Sequence, residues 1–168
     1  AGGLTKYNLG AVPWHRPHGQ CRVILVPGQV ETDASIARGC PAEKTNMDLL
    51  RKVREAHREA YVVYKPHPDV VARLRLPGRD EHEAGRWCDE IAADASLAEL
   101  IEEVDEIQVL TSLIGFEALL RGKPVTCHGQ PFYAGWGLTH GMEPPARRHR
   151  RLELDELVYG TLIAYPLY

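Results

Sequence analysis

Residues 111–139 read TSLIGFEALLRGKPVTCHGQPFYAGWGLT, and this stretch decides the fold class. An apolar strand is predicted immediately before it, over Ile107–Leu110, and the stretch itself predicts a helix over Gly115–Leu120. Gly122 then marks a turn, and Pro124–Cys127 predicts a second short apolar strand. Because parallel neighbours are usually joined by a helix, this order of elements indicates a parallel sheet.

The same alternation continues through the rest of the chain. Strands are predicted at Arg22–Val26 and Tyr61–Tyr64, with an amphipathic helix over Asn46–Ala60 between them. Further helices are predicted at Leu97–Val104 and Leu154–Ile163. The fold class expected from this order is α/β, a Rossmann-like parallel sheet with helices on both faces.

The length of 168 residues suits one domain with a short lead-in. We assign residues 1–20, which are rich in Gly, Pro and His, to the lead-in, and residues 21–168 to the folded domain. The chain opens without an initiator Met and without a strand pattern. We therefore expect it to be a segment of a longer protein.

Composition argues against several classes of protein. The net charge of −3 gives no overall attraction to nucleic acid, and no apolar run approaches the roughly 20 residues of a membrane-spanning helix. The cysteines form no CxxC pair, so we expect buried thiols in a reducing compartment rather than disulfides or zinc ligands. These features predict a cytoplasmic protein. The cysteines are Cys21, Cys40, Cys88 and Cys127.

Common cofactor and catalytic motifs are absent. The sequence has no GxGxxG, GxxxxGK[ST], HExxH, DxD or GxSxG pattern. These absences argue against dinucleotide binding, P-loop chemistry, zinc or DxD-bound metals and the common hydrolase elbow. We therefore expect no cofactor and no protein-bound metal.

Four unusual loops follow the predicted strands, at residues 28–35, 65–69, 111–117 and 129–137. In parallel sheets ligands bind beyond the carboxyl ends of the strands, so these loops should meet at one edge. Their convergence predicts a binding site there.

The loop after the third predicted strand suits a nucleotide. Thr111 and Ser112 lie where a helix would begin, and free N–H groups at a helix N-terminus bind phosphate. Glu117, on the first turns of that helix, can accept hydrogen bonds from ribose hydroxyls. The alternative is an ordinary helix cap followed by a solvated carboxylate.

The loop after the second predicted strand holds His67 between two prolines, which restrict the backbone around the imidazole. A rigid His at a strand end can hydrogen-bond a phosphate or stabilise a leaving group, and Lys65 adds a cation. The alternative is a turn with an incidental surface His.

The loop after the first predicted strand carries two acids, Glu31 and Asp33, which suit the roles of general base, nucleophile or cation stabiliser in glycosyl transfer. Gln29 and Ser35 are neutral groups that can hold a sugar. The alternative is a helix N-terminus capped by Asp33.

The loop 129–137 combines three glycines with three aromatic residues. Glycines allow close backbone approach and aromatic rings stack on bases or sugars, so Tyr133 and Trp136 are candidate donor-binding residues. The alternative is a hydrophobic cluster that fixes the loop. A basic run follows at Arg147–Arg151, which is either a solvated face or a contact for anionic lipid.

Four ordered motifs make the chain similar to a known family. They are VPGQVETDASI at 26–36, YKPHPD at 64–69, LTSLIGFEALLRGKPV at 110–125 and GQPFYAGWGLT at 129–139. In this order and spacing they resemble the capsule polysaccharide biosynthesis proteins of the KpsC type, which are retaining β-Kdo glycosyltransferases. The resemblance extends from about Lys6 to Tyr168.

The resemblance implies a donor, an acceptor and a location. Such proteins transfer Kdo from CMP-Kdo to a poly-Kdo linker on a phosphatidylglycerol-type lipid, at the cytoplasmic face of the inner membrane. Each module resembles a GT-B enzyme of two Rossmann-like halves, and this chain would be the nucleotide-binding C-terminal half. Its partners would be the other half of the module and further capsule assembly proteins.

The resemblance also implies roles for single residues. His67, Thr111 and Ser112 would bind the CMP phosphate, Glu117 would bind the ribose or base, and Glu31 and Asp33 match the acidic loop of the family. Without the acceptor half, the fragment is expected to bind CMP or CMP-Kdo without turnover. The alternatives are a non-catalytic interaction domain of a capsule export assembly and a UDP-sugar epimerase-like domain.

Overall fold

A computed structural model describes residues 12–19 and 21–166, which form one sheet covered on both faces. All six strands are parallel, in the order β3-β2-β1-β4-β5-β6. The strands are β1 (Val23–Pro27), β2 (Tyr61–Lys65), β3 (Glu90–Ile91), β4 (Glu106–Val109), β5 (Val125–Cys127) and β6 (His140–Gly141).

Helices supply most of the connections between these strands. They are α1 (Ala34–Gly39), α2 (Asn46–Ala56), α3 (Pro68–Val71), a 3-10 helix (Glu81–Arg86), α4 (Leu97–Glu103), α5 (Ile114–Leu120) and α6 (Leu154–Val158). A π-helical segment, Tyr159–Ala164, follows α6 directly.

The central strand β1 is buried along its whole length, as an apolar strand with helices on both sides must be. It pairs with β2 through five residues in register, from Val23 opposite Tyr61 to Pro27 opposite Lys65. On its other side it pairs with β4 through Ile24 and Leu25 only. The sheet is therefore joined more extensively on the β2 side of β1 than on the β4 side.

Alternate residues of the strands point into two separate cores. On one face Leu25, Ile107 and Val125 pack against α4, α5 and α6. On the other face Ile24 and Val62 pack against α1, α2 and the 3-10 helix. This arrangement confirms the predicted Rossmann-like α/β fold with helices on both faces.

The differences from the predicted elements are local. β3 and β6 have two residues each and no apolar run, so they carried no strand pattern in the sequence. The helix predicted to reach Ala60 ends at Ala56 and is followed by His57, which caps it. The helix predicted over Leu154–Ile163 is α-helical only to Val158 and then widens into the π-helical segment.

Part of the predicted lead-in packs on the domain. Trp14 is buried, and its indole N–H donates to Glu90 Oε1 at 2.8 Å. Val12 forms a parallel bridge with Ala95. The other residues of the lead-in, 1–11 and 20, lie outside the described residues.

Two of the four cysteines match the expectation of buried thiols. Cys40 and Cys127 are buried, and desolvation raises the pKa of Cys40 to about 11 and that of Cys127 to about 12. Cys21 and Cys88 are only partly buried. The two buried thiols therefore stay protonated at neutral pH and act as small apolar side chains.

Candidate functional site

The strand order creates one crevice at the carboxyl edge of the sheet. Crossovers from β1 run to the β2 side, whereas the chain returns from β3 to β4 on the opposite side of β1. The loops after β1 and β4 therefore separate, and in doubly wound sheets ligands bind at this point. The candidate residues after both strands, Gln29 to Ser35 and Thr111 to Ser112, flank this crevice.

A hydrogen-bonded cluster of three polar side chains bridges the crevice. Gln29 Nε2 donates to Thr111 Oγ1 at 2.9 Å and to Ser35 Oγ at 3.0 Å. The two hydroxyls lie 3.0 Å apart, and the N–H of Thr111 donates to Gln29 Oε1 at 3.3 Å. Gln29 and Thr111 are 9% and 8% exposed, whereas Ser35 is exposed. The structure thus joins three of the predicted donor-binding residues.

Glu31 is held by two backbone N–H groups. Its Oε1 accepts from Asn46 at 2.8 Å and its Oε2 accepts from Arg79 at 2.9 Å. Its side chain connects the loop after β1 to the start of α2 and to the segment before the 3-10 helix. A carboxylate oriented in this way has a fixed position, which suits either a structural or a chemical role.

Asp33 caps α1. Its carboxylate accepts from the N–H of Ser35 at 2.8 Å, and its backbone is extended, as an N-cap requires. The structure therefore contains the helix N-terminus capped by Asp33, which the sequence analysis gave as the alternative to a catalytic role for this acid. Asp33 is exposed, so the cap does not remove it from solvent.

His67 lies in the loop after β2, next to the loop after β1, and caps α3. Its Nδ1 accepts from the N–H of Asp69 at 3.1 Å, which places the proton of the neutral ring on Nε2. A Cβ on Gly28 would lie 3.2 Å from the backbone N of His67 and 2.6 Å from Tyr64 Oη. Gly28 therefore permits the close approach of the loops after β1 and β2.

Lys65 faces the end of β3. Its Nζ donates to the carbonyl oxygens of Ala92 and Ala93 at 3.3 and 3.0 Å. Burial lowers the pKa of Lys65, and the charge of Asp94 partly opposes that change. In this structure the ammonium fixes the backbone after β3 and is not joined to the Gln29–Ser35–Thr111 cluster.

The turn after β4 differs in detail from the predicted helix start. α5 begins at Ile114, and Ser112 Oγ accepts from its N–H at 3.3 Å. The hydroxyls of Thr111 and Ser112 thus precede the helix. Glu117 is half-buried on α5, with its carboxylate 3.7 Å from Arg121 Nη1.

The aromatic loop is fixed by packing. Tyr133 is completely buried, and its hydroxyl donates to the carbonyl oxygen of Ser112. A Cβ on Gly115 would overlap that hydroxyl, so only glycine fits on the facing side of α5. The ring of Tyr133 presents no face to a ligand in this structure, and it supports the turn after β4 from the core.

Trp136 occupies a different position on the same loop. It is half-buried, and its indole N–H donates to the carbonyl oxygen of Phe132 at 2.7 Å. The guanidinium of Arg148 lies over its ring, 5.5 Å from the centroid, and also donates to Pro131 and Ala134. The cation–π contact shows that Arg148, from the basic run, serves to hold the aromatic loop.

Two further features concern metals and membranes. Among residues 12–19 and 21–166, no three His, Cys, Asp or Glu side chains are grouped as a metal ion would require. Within the same ranges, no helix has the length and apolar character needed to cross a membrane.

A doubly wound parallel sheet with polar side chains joined across its switch point defines a Rossmann-like α/β domain, a class whose ligands bind at that point. The sequence matches the family described as "Capsule polysaccharide biosynthesis protein" over residues 8–168. The chain belongs to this family.

Curated relatives agree with this assignment. The chain is 53% identical to the capsule polysaccharide modification protein LipA of Neisseria meningitidis, over 98% of this chain and 23% of LipA. It is 46% identical to the lipopolysaccharide-processing protein LpsZ of Rhizobium meliloti, over 99% of this chain and 38% of LpsZ. The chain thus spans well under half the length of either relative.

Solved structures of KpsC from Thermosulfurimonas dismutans share the fold. The β-Kdo 2,7 transferase superimposes with a TM-score of 0.79 and 51% identity, over 90% of this chain and 48% of that chain. The β-Kdo 2,4 transferase superimposes with a TM-score of 0.76 and 32% identity, over 92% and 49%. The chain therefore corresponds to about half of each transferase structure.

Proposed function

We propose that this chain is the donor-nucleotide-binding half of a retaining β-Kdo glycosyltransferase that uses CMP-Kdo. The observation that carries the proposal is the Gln29–Ser35–Thr111 cluster across the crevice between β1 and β4. Family membership and the 51% identity to a β-Kdo transferase support the choice of donor.

In the proposed site, different residues at the carboxyl edge of the sheet contact the phosphate, the ribose or base, and the sugar of the donor. Thr111 and Ser112 meet the phosphate together with the Nε2 of His67. Glu117 meets the ribose or base from α5. Glu31 and Asp33 supply carboxylate chemistry at the sugar, where retention requires either a covalent intermediate or a front-face path.

The acceptor belongs to the part of the transferase that this chain does not span. In a GT-B enzyme the active site lies between two Rossmann-like halves, so the chain alone is proposed to bind CMP and CMP-Kdo without turnover. The complete enzyme would extend a lipid-linked Kdo acceptor of the phosphatidylglycerol type. It would work at the cytoplasmic face of the inner membrane, beside other capsule assembly proteins and without a metal or other cofactor.

Calorimetric titration of the chain with CMP, CMP-Kdo and UDP tests this proposal. CMP and CMP-Kdo are expected to bind, and UDP to bind at least about tenfold more weakly, which corresponds to roughly 1.4 kcal/mol. Tighter binding of UDP than of CMP would favour an epimerase-like domain. Absence of binding by all three would favour an interaction domain and overturn the proposal.

A further inference from the structure

Asn46 holds the backbone of Gln29. It is the first residue of α2 and is only 2% exposed. Its Nδ2 donates to the carbonyl oxygen of Gln29 at 2.9 Å, and its Oδ1 accepts from the N–H of Gln29 at 2.9 Å. A side chain that binds both backbone groups of one residue restrains that residue as a neighbouring strand would.

The backbone of Asn46 holds the second loop residue, Glu31. The N–H of Asn46 donates to Glu31 Oε1 at 2.8 Å. The first N–H groups of a helix have no acceptor within the helix, so this bond takes nothing from α2. A Cβ on Gly78 would overlap Glu31 Oε1 and lie 3.0 Å from Asn46 Nδ2, so the chain at Gly78 closes over this pair.

We propose that Asn46 is a positioning residue of the donor site. Its side chain sets Gln29, which in turn sets Thr111 and Ser35, and its N–H sets the carboxylate of Glu31. Asn46 is too buried to touch a ligand itself, so it acts only through these neighbours. The inference rests on the proposed function, in which Thr111 meets the phosphate and Glu31 meets the sugar.

Two substitutions separate these effects. Asn46→Ala removes both side-chain bonds to Gln29 but keeps the N–H that Glu31 accepts. Asn46→Pro removes that N–H as well, and proline is tolerated at the first helix position. The preceding residue, Thr45, is already extended, with φ −120° and ψ 156°, as a residue before proline should be.

Binding is measured by titration with CMP and CMP-Kdo below the melting temperature of each variant. Asn46→Ala is expected to weaken CMP binding about tenfold, the effect of losing one ordinary hydrogen bond at the site. In Asn46→Pro the affinity for CMP is expected to match that of Asn46→Ala. In Asn46→Pro the affinity for CMP-Kdo, relative to that for CMP, should be lower than in Asn46→Ala, because Glu31 meets only the sugar.

Leu50→Ala is the matched control. Leu50 lies one turn further along the same helix, is completely buried, and packs in the core against β1 and β2 without a hydrogen bond to the loops. It should lower the melting temperature at least as much as Asn46→Ala, while CMP affinity stays within about twofold of wild type. Asn46→Ser, which leaves room for water at the backbone of Gln29, replaces Asn46→Ala if that variant does not fold.

Wild-type CMP affinity in folded Asn46→Ala or Asn46→Ser would overturn the inference and leave the proposed function intact. Failure of both variants to fold would also overturn it, because Asn46 would then be required for the fold itself. No CMP binding by the wild-type chain would overturn the proposed function, and this inference with it.

Discussion

The loops after β1 and β4 and the aromatic loop 129–137 lie at the same edge of the sheet but are held in opposite ways. The first two are joined by side-chain hydrogen bonds between Gln29, Ser35 and Thr111, and of these residues Ser35 is exposed. The aromatic loop is anchored by the completely buried ring of Tyr133. Polar groups that bind each other can exchange partners with a ligand, whereas a buried ring cannot do so without unfolding its surroundings.

The difference separates two kinds of residue that look alike in sequence. Tyr133 and Thr111 both lie in glycine-containing loops after strands, and both were predicted to bind the donor. Substitutions in the aromatic loop should therefore change stability, and substitutions at the crevice should change affinity.

Tyr133→Ala should have the largest effect. Removing a buried aromatic side chain is expected to lower the free energy of unfolding by about 3–5 kcal/mol. Denaturant unfolding measures this, with Phe132→Ala as the control, because Phe132 is on the same loop but 40% exposed and should cost less than half as much. A loss below about 1 kcal/mol, together with weaker CMP binding, would place Tyr133 among the ligand-binding residues.

His67→Ala should show the opposite pattern. If Nε2 donates to the donor phosphate, CMP binding should weaken by about 1.5–3 kcal/mol, the range for a hydrogen bond to a charged group. The substitution also removes the cap of α3, a helix of four residues, so a small decrease in melting temperature is expected. Unchanged CMP affinity in a normally folded variant would remove His67 from the site.

Asp33 distinguishes a helix cap from acidic chemistry. Asp33→Asn keeps a capping oxygen and should leave stability near wild type, whereas Asp33→Ala should cost about 1 kcal/mol in unfolding experiments. In a protein that also contains the acceptor half, Asp33→Asn should lower turnover by about 10²-fold if its carboxylate takes part in the reaction. Turnover retained by Asp33→Asn but reduced by Asp33→Ala would indicate a cap alone.

His128, at the base of the aromatic loop, should give the smallest effect. Its Nε2 is hydrogen-bonded to Gln108 Oε1 at 2.8 Å, and desolvation is the main cause that lowers the pKa of His128. The unfolded chain, with an ordinary His pKa near 6.5, then binds more protons than the folded chain at mildly acidic pH. The stability provided by neutral His128 should therefore decrease as pH falls below about 6.5.

Comparison with His128→Gln isolates this effect, because Gln can also donate to Gln108 but does not titrate. When the pH is lowered from 7.5 to 5.5, the wild type should lose more stability than the variant. The extra loss in its free energy of unfolding should be less than about 1 kcal/mol. A shift in favour of the wild type on acidification would contradict the lowered pKa.

The sequence predicted the sheet because its two longest strands, β1 and β2, contain continuous apolar runs that end at turn residues. It did not predict β3 and β6, since two-residue strands exist only through their neighbours. The polar candidates Gln29, Ser35 and Thr111 were found because ligand sites follow strand ends, a rule that holds for any parallel sheet. The mutual bonds of these three residues depend on the strand order, which hydrophobic periodicity does not contain.

Asn46 and Tyr133 show why the remaining residues were harder to assign. Asn46 was predicted only as the first residue of an amphipathic helix, because its bonds to Gln29 span 17 positions of sequence and depend on the packing of α2. Tyr133 carries the same letter whether its ring faces a ligand or the core. The ring can lie in the core because Gly115, which faces its hydroxyl, has no side chain. A glycine within a predicted helix does not indicate such a contact.

The unequal pairing of β1 has a consequence for the order in which the molecule opens. β1 and β2 share five paired residues and are joined by a single crossover, residues 28–60, whereas β1 and β4 share two and are further apart in sequence. Amide hydrogens along the β1–β4 boundary should therefore exchange with deuterium sooner than those between β1 and β2. A ligand that contacts the loops after both β1 and β4 would link the two strands. It should therefore slow amide exchange most along the β1–β4 boundary, which is the less protected side of β1 in the free domain.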